Sequence, residues 1–362
     1  MSRSTTITST MLLVVSMCVG QPWAVAQGNT TAKEAQDDKA LRHGVQYWTP
    51  ERARAARPIR WYEAEADAQG KRHHVKEPTG PAGSVEGGRP TEKRKSFSEP
   101  GDATALPPTE TTALPFAEDE DFDVDFGTAD IGDNDYVNRS TALWKRYPYQ
   151  AIGKLLIGGG GYCTASVISP NNIIVTAAHR CYNRGTGKWN GNFAFVPAMR
   201  QDTRPFGTFP YTQARVLTDW ITAGGRHNDV CVLSLGPNEH GQTVSSVTGW
   251  LGRSWNWPSV QHHFAFGYPS NISSGLYKYE CSAESYGNCG DGSVNAMGCN
   301  MTFGSSGGPW VRVFKRFASG AQNYVNSVVS GYDACTGTFG ASFNGARFTT
   351  ANIVPLCTAQ GC

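Results

Sequence analysis

Short apolar runs recur through residues 141–362, and glycine, proline and asparagine separate them. Residues 151–157 form one such run, which a four-glycine turn follows. The pattern predicts further strands at 162–169, 173–178, 192–196, 214–217, 230–235, 264–268, 311–314, 324–332 and 346–350. Many short strands without a long amphipathic helix are typical of a β-barrel or β-sandwich.

Residues 27–140 are mostly polar and lack this pattern. Residues 47–56 predict a short helix, with Thr49 as its N-cap and Pro50 at its first position. Residues 68–115 have the composition of a disordered segment. The acidic run 118–125 predicts either a solvated linker or part of a pro-segment that docks on a basic domain.

The first 26 residues resemble a secretory signal. Arg3 supplies a positive start, residues 11–20 form a short apolar run, and Ala24-Val25-Ala26 is a small-residue cleavage motif. The run is too short to span a bilayer, and no later segment is long and apolar enough. The alternative is a buried N-terminal helix. We expect cleavage after Ala26 and a secreted, extracellular protein with no membrane partner.

Charge divides the chain in the same place as the apolar pattern. The 362 residues carry a net charge of +2, made up of −6 over residues 1–140 and +8 over residues 141–362. The length suggests two or three folding units, and the opposite signs allow the two parts to attract each other. The basic residues form no run, so nucleic-acid binding is the least favoured function.

Cysteine usage fits an oxidising compartment. Ten cysteines are present, and Cys18 lies in the expected signal. Nine remain, all after residue 140, which predicts several disulfides and at least one unpaired thiol. Cys231 lies in an apolar strand and is predicted to be a buried free thiol. No CxxC or HxxxH pattern occurs, so we expect no metal site and no cofactor.

Three short motifs carry candidate chemistry. Thr176-Ala177-Ala178-His179 ends an apolar strand, Asn228-Asp229 opens another, and Ser306 lies in the glycine-rich stretch Gly304-Ser305-Ser306-Gly307-Gly308-Pro309. Taken singly, each motif has an ordinary structural explanation: a packed histidine, a paired carboxylate and a tight surface turn. In this order they supply a base, an acid that orients it and a nucleophile.

These three motifs resemble those of trypsin/chymotrypsin-fold serine proteases, over roughly residues 141–362. Within that family the sequence is most similar to secreted microbial glutamyl-endopeptidase-like enzymes, because of the tracts 147–154 and 343–346. The resemblance implies an all-β fold of two six-stranded antiparallel β-barrels, with the active site between them. It also implies that residues 27–140 are an acidic, mostly disordered pro-segment that precedes the protease domain.

The resemblance assigns a role to each matching residue. Ser306 would be the nucleophile, His179 the general base, and Asp229 the group that orients the imidazole. The backbone N–H groups of Gly304 and Ser306 would form the oxyanion hole. The segment Ser330-Gly331-Tyr332 would pair with an extended peptide or protein substrate. We expect a monomeric serine endopeptidase, made as a precursor that also binds its own pro-segment.

The sequence departs from the family pattern in two places. Ser305 stands where the family usually has aspartate before the nucleophile, so an activation switch that depends on that charge must differ here. Arg180 separates His179 from Cys181, where the family has histidine followed directly by cysteine. The resemblance still implies a Cys163–Cys181 disulfide. The connectivity of the other cysteines stays open at this stage, with Cys281–Cys299, Cys357–Cys362 and Cys289–Cys335 as the candidate pairs.

Specificity is predicted from the positions that align with the family's pocket. Asn300 falls at the pocket floor, where trypsin-like members carry an acidic residue, and an amide supplies no full negative charge. Val329 stands where glutamate-specific relatives often have histidine. Arg347 could bind an acidic substrate side chain, or it could face solvent or pair elsewhere. We therefore expect a neutral or weakly acidic preference first, glutamate second and basic residues last.

Two other questions stay open at this stage. An inactive binding module on the same fold is the alternative to an enzyme, because a fold alone does not set function. For maturation, Arg139, Lys145 and Arg146 offer cleavage points in the linker. We expect the active species to begin between residues 127 and 150.

Overall fold

The computed structural model describes residues 30–35, 46–59, 78, 80–95, 144–288, 291–316, 320–334 and 341–362. Several sequence predictions fall outside these ranges: the signal at 1–26, the acidic run at 118–125, cleavage at Arg139 and the Cys289–Cys335 pair.

The described N-terminal elements are short and few. They are, in chain order, β1 (Thr31–Ala35), α1 (Pro50–Ala55), β2 (Arg57–Pro58) and β3 (Gly83–Val85). The predicted helix is confirmed as α1, because the side chain of Thr49 accepts a hydrogen bond from the backbone N–H of Arg52 at 3.3 Å and Pro50 opens the helix. A proline is favourable there because its missing N–H would have no partner inside the helix.

The first β-barrel closes from six antiparallel strands. Its ladder runs β4–β5–β6–β11–β10–β9 and returns to β4. A short hairpin, β7 and β8, lies outside the ladder. The strands are β4 (Ile152–Ile157), β5 (Gly161–Ser169), β6 (Ile173–Thr176), β7 (Tyr182–Asn183), β8 (Lys188–Trp189), β9 (Ala194–Pro197), β10 (Phe209–Leu217) and β11 (Cys231–Leu235).

The second β-barrel is built in the same way. Its ladder runs β13–β14–β15–β18–β17–β16 and returns to β13, while β12 pairs with β17 in parallel from outside. The expected two six-stranded antiparallel barrels are therefore confirmed. The strands are β12 (Gly252–Trp255), β13 (Gln261–Gly267), β14 (Tyr279–Asn288), β15 (Asp291–Met297), β16 (Pro309–Arg312), β17 (Tyr324–Ala334) and β18 (Ala341–Arg347).

Helices are confined to connections and to the C-terminal end. They are α2 (Ala178–Cys181), α3 (Thr218–Thr222), α4 (Val244–Thr248) and α5 (Ile353–Gln360), with 3-10 turns at Tyr149–Ala151, Arg226–Asn228 and Ser273–Gly275. The predicted strand 173–178 thus ends earlier, at Thr176, and gives way to α2. None of the helices in the described part of the chain is long and apolar enough to cross a membrane.

Apolar side chains fill both barrels. The first barrel's core includes Leu155, Val175 and Phe195, and the second barrel's core includes Trp310 and Phe343, all fully buried. The rings of Trp310 and Phe343 stack with centroids 5.8 Å apart. Close packing of this kind resists deformation, so the barrels support the polar groups that the loops between them carry.

Three N-terminal segments add strands to the barrels. Strand β1 pairs antiparallel with β10, β2 pairs in parallel with β5, and β3 pairs antiparallel with β12. These pairings satisfy backbone groups at strands that would otherwise leave them open to solvent. The N-terminal part of the chain therefore packs on both barrels through its described residues.

The disulfides differ from the expected pairing in one respect. Cys281–Cys299 and Cys357–Cys362 form as predicted. The Cys163–Cys181 prediction is wrong, because Cys181 pairs with Cys231, and so is the prediction that Cys231 is a free thiol. Cys163 is the buried free thiol among the described residues, with its Sγ 3.6 Å from Thr176 Oγ1.

Strand register explains this exchange of partners. Cys231 opens β11 opposite Thr176, the last residue of β6. Helix α2 begins two residues later and brings Cys181 back beside that strand, with the two Cα atoms 6.5 Å apart.

Candidate active site

His179 is the second residue of α2, directly after the end of β6. Its ring Nδ1 lies 2.7 Å from Asp229 Oδ2, and its backbone N–H donates to Asp229 Oδ1 at 2.8 Å. Its ring Nε2 lies 3.1 Å from Ser306 Oγ. The carboxylate therefore contacts both the ring and the main chain of the histidine, which sets the orientation of the imidazole toward the serine.

Asp229 is fully buried between the 3-10 turn 226–228 and β11. Ser330 Oγ donates to its Oδ2 at 2.6 Å, in addition to the two contacts from His179. Burial alone would raise the pKa of Asp229, but the charge of His179 and the hydrogen bonds from His179 and Ser330 lower it overall. The carboxylate is therefore ionised at neutral pH.

Ser306 lies in a glycine-rich turn that is pinned to the first barrel. The backbone N–H of Thr164 donates to the Ser306 carbonyl at 2.9 Å, and the Thr164 hydroxyl donates to the Gly304 carbonyl at 2.8 Å. Gly307 has φ +77°, and a Cβ there would lie 1.9 Å from Thr176 Oγ1. A glycine is required at that position by both backbone conformation and space.

The backbone N–H groups of Gly304 and Ser306 are available as donors. Neither forms a hydrogen bond with any other described residue. Gly304 has φ +94°, and a Cβ there would lie 2.3 Å from the Tyr268 carbonyl. Two unused donors beside a serine Oγ can stabilise an oxyanion that develops on a bound carbonyl.

The environment of His179 favours its neutral form. Burial lowers its pKa below the ordinary value of 6.5, and the positive charges of Arg180 and Arg226 lower it further, against the opposing effect of Asp229. Its side chain is only 7% exposed. In a neutral imidazole whose Nδ1 donates to a carboxylate, Nε2 is the nitrogen that can accept a proton, and here it faces Ser306 Oγ.

Ser330, Gly331 and Tyr332 lie on β17, next to this group. The register between β17 and β18 shifts between Val329 and Gly331, so Ser330 is at a β-bulge. Such a bulge re-aims a side chain, and here the hydroxyl points at Asp229. The backbone carbonyl of Tyr332 accepts a hydrogen bond from Arg226 Nη2 at 2.7 Å. The side-chain hydroxyl of Tyr332 donates to the Cys299 carbonyl.

Asn300 lies directly after the disulfide-bonded Cys299, and its backbone carbonyl accepts from Asn271 Nδ2 at 2.9 Å. Arg347 ends β18 and is 2% exposed. Its Nη1 donates to Ser259 Oγ at 2.9 Å and to the Gly292 carbonyl. Arg347 therefore forms its hydrogen bonds inside the protein, which is the alternative given in the sequence analysis. That Arg347 binds an acidic substrate side chain stays a prediction.

Arg180 contacts the candidate nucleophile Ser306, and sequence reasoning missed this contact. The residue is fully buried, and its Nη2 donates to Ser306 Oγ at 2.8 Å and to the Ile59 carbonyl at 2.8 Å. Burial lowers the pKa of Arg180 to about 10, so it is charged at neutral pH. The departure from the family's histidine–cysteine pair was the signal that could have identified it.

Ser330 was also only partly identified by sequence. The resemblance placed it in the segment that pairs with substrate, but its hydroxyl has a separate role as a donor to Asp229. No group of three or more His, Cys, Asp or Glu side chains that could hold a metal ion occurs among the residues that the structure describes.

Three solved structures that share the fold are those of proteases. The protease Anisep from Arthrobacter nicotinovorans is 27% identical, with 59% of this chain and 96% of that one covered and a TM-score of 0.51. A thermostable serine protease, AL20, from an extremophilic microorganism is 24% identical, with 59% and 97% covered and a TM-score of 0.51. A Glu endopeptidase is 21% identical, with 64% and 99% covered and a TM-score of 0.52. The last two likenesses show the fold alone.

A family model gives the assignment. No curated protein matches this chain. The model described as Trypsin matches residues 137–348, which is more than half of the chain and includes His179, Asp229 and Ser306. The chain therefore belongs to the trypsin family of serine endopeptidases.

Proposed function

We propose that this protein is a secreted endopeptidase, made as a precursor, that hydrolyses peptide bonds through an acyl-enzyme on Ser306. The observation that carries the proposal is the contact series from Asp229 to His179 at 2.7 Å and from His179 to Ser306 at 3.1 Å. The histidine and aspartate come from the first barrel and the serine from the second. A substrate bound between the barrels would meet all three groups.

The reaction follows from this arrangement. Ser306 Oγ attacks the scissile carbonyl while His179 Nε2 accepts the hydroxyl proton. The N–H groups of Gly304 and Ser306 bind the oxyanion, and each such donor contributes about 3 kcal/mol of transition-state stabilisation. His179 then gives the proton to the leaving amine. Water repeats the sequence to release the acid and regenerate the serine, while Asp229 stays ionised.

Three observations support the precursor and secretion parts of the proposal. The first 26 residues have the pattern of a secretory signal. The three described disulfides suit an oxidising compartment. Ser306 is 0% exposed, and Arg180 joins it to the N-terminal segment by donating both to Ser306 Oγ and to the Ile59 carbonyl, which fits a chain that is still a precursor.

The alternative is an inactive binding protein on the same fold. The contacts among Asp229, His179 and Ser306 disfavour it, since a binding module has no need for an aligned base and nucleophile.

Ser306→Ala should abolish peptidase activity, with a loss in kcat of about 10⁴-fold or more, because the nucleophile is removed while little volume changes. Ser305→Ala is the matched control, since Ser305 is also fully buried and its hydroxyl has no partner among the described residues. We expect the control to keep near-normal kcat. Peptide hydrolysis by the two processed variants checks this, and a Ser306→Ala enzyme that keeps more than a few per cent of activity would refute the assignment.

Ser330→Ala should lower kcat by about tenfold or more, because the buried Asp229 loses a charge-assisted hydrogen bond of about 1.5 to 3 kcal/mol. Ser327→Ala on the same strand is the control. That serine is fully buried, and its hydroxyl lacks a described partner. Equal kcat values for the two variants would show that the Ser330 contact does not support catalysis.

The acid limb of kcat/KM reports the protonation of His179 in the free enzyme. Activity is lost as pH falls through this pKa, because the protonated ring cannot accept the serine proton. Burial and the charges of Arg180 and Arg226 hold the pKa below 6.5. We therefore expect more than half of the maximal kcat/KM to remain at pH 6.5 when kcat/KM is measured as a function of pH. A midpoint of the acid limb at or above pH 6.5 would contradict the electrostatic argument.

Cleavage should favour neutral or weakly acidic residues first, glutamate second and basic residues last, since the amide of Asn300 cannot balance a cation at the pocket floor. Peptide substrates varied at the cleaved position would measure this order. Predominant cutting after Arg or Lys would overturn the argument. A glutamate preference that survives Arg347→Ala would show that Arg347 does not read the substrate.

A further inference from the structure

A strip of the first barrel beside Ser306 binds residues 46–59 of the same chain. We call this stretch the Trp48 segment. Trp48 is 1% exposed and lies in an apolar pocket, the Trp48 pocket, which is formed by Leu156, Tyr162, Ala194, Val196, Met199 and Tyr268. A buried aromatic anchor in a well-packed pocket is the usual energetic centre of a protein interface.

Hydrogen bonds hold the main chain on both sides of this anchor. Trp48 Nε1 donates to the Asn192 carbonyl at 2.8 Å. Arg204, which is 9% exposed, donates from Nη1 to the Trp48 carbonyl and from Nη2 to the Thr49 carbonyl, both at 2.7 Å. The barrel therefore recognises the backbone of the segment as well as its tryptophan.

Beyond α1 the segment runs along β5 toward the reactive serine. The backbone N–H of Arg57 donates to the Gly160 carbonyl at 2.7 Å. Two residues later, the Ile59 carbonyl accepts from Arg180 Nη2 at 2.8 Å, and the same nitrogen donates to Ser306 Oγ at 2.8 Å. One guanidinium nitrogen thus joins the end of the segment to the nucleophile.

The described end of the segment lies beside Ser306 and makes none of the contacts of a substrate. The Gly304 and Ser306 N–H groups bond to no described residue, so no carbonyl of residues 46–59 lies in the oxyanion position. The predicted substrate-pairing stretch 330–332 belongs to the second barrel. A chain that approaches Ser306 along the first barrel therefore lies opposite this stretch, on the side that the leaving group of a substrate paired with 330–332 would occupy.

Charge does not explain this docking. The Trp48 segment carries three arginines and one glutamate, and the domain that binds it is itself basic. Arg54 forms one ion pair with Asp202, and its side chain is 65% exposed. Exposed pairs of this kind contribute little, so the apolar pocket and the hydrogen bonds to the main chain carry the interaction.

We propose that the Trp48 segment is a built-in inhibitor that occupies the leaving-group side of the cleft, and that the Trp48 pocket is its binding surface on the enzyme. This inference rests on the function proposed above. It assigns Trp48 as the anchor and Arg180 as the residue that connects the bound segment to Ser306. The acidic run 118–125 is not needed for this interaction.

The first test uses the intact secreted precursor, its mass checked throughout, and a fluorophosphonate probe. The wild-type chain should react slowly at Ser306, and Trp48→Ala should react at least about tenfold faster, because the anchor is lost. Gly88→Ala is the control. The added Cβ would lie 2.2 Å from the Trp250 ring, so this substitution disturbs the segment 80–95 and not the Trp48 segment. The rate of reaction with the probe should therefore stay at the wild-type value.

The second test adds a synthetic peptide of residues 46–59, with blocked ends, to the processed enzyme after its pro-segment has been removed. We expect inhibition that competes with peptide substrates and persists at high salt. A peptide with Trp48→Ala should bind at least about tenfold more weakly.

Three results would overturn the proposal that the Trp48 segment is an inhibitor. They are equal rates of reaction with the probe for wild type and Trp48→Ala, an acceleration by Gly88→Ala equal to that by Trp48→Ala, and no inhibition by the wild-type peptide. Each of these assumes that the processed enzyme itself reacts at Ser306. A processed enzyme that never reacts there would instead contradict the proposed function, so the two failures are distinguishable.

Discussion

The buried carboxylate of Asp229 is the constraint on which the active site depends. A charge that is fully buried is costly unless donors surround it, and here the donors come from both barrels. His179 contributes its backbone N–H and its ring from the first barrel, and Ser330 contributes its hydroxyl from the second. Satisfying the charge therefore aligns the two barrels, and the same alignment places Ser306 beside the imidazole.

The sequence predicted those parts of the site that short motifs encode. His179, Asp229 and Ser306 each lie in a local pattern, and the structure brings the three side chains together. Helix α1 was predictable for the same reason, because its cap and its first-turn proline are adjacent in sequence. The Cys181–Cys231 disulfide was not, since it depends on how β11 pairs with β6 across 50 residues.

Strands β14 and β15 were missed because their residues are largely small and polar, so the apolar signal for a strand is weak. Strand β14 alternates between buried and exposed positions only in part, and its pairing with β13 and β15 supplies what its composition does not. Tertiary pairing routinely overrides propensity in this way. Strands β1 to β3 were missed for a similar reason, because each is formed by addition to a barrel strand.

The arrangement around Arg180 connects the enzyme to its own N-terminal region. A buried guanidinium contacts both the candidate nucleophile and the carbonyl of Ile59. Its Nε and Nη1 have no hydrogen-bond partner among the described residues. Within the described residues, the candidate catalytic group and the packed N-terminal segment are thus parts of one contact network that passes through Arg180.

The central claim is that Ser306 is an activated nucleophile, and covalent labelling tests it most directly. The processed protein would be treated with a fluorophosphonate probe, digested, and mapped by mass spectrometry. The account predicts one adduct, on Ser306, that fails to form after prior unfolding. A folded, processed protein without an adduct, or with its adduct on another serine, would contradict it.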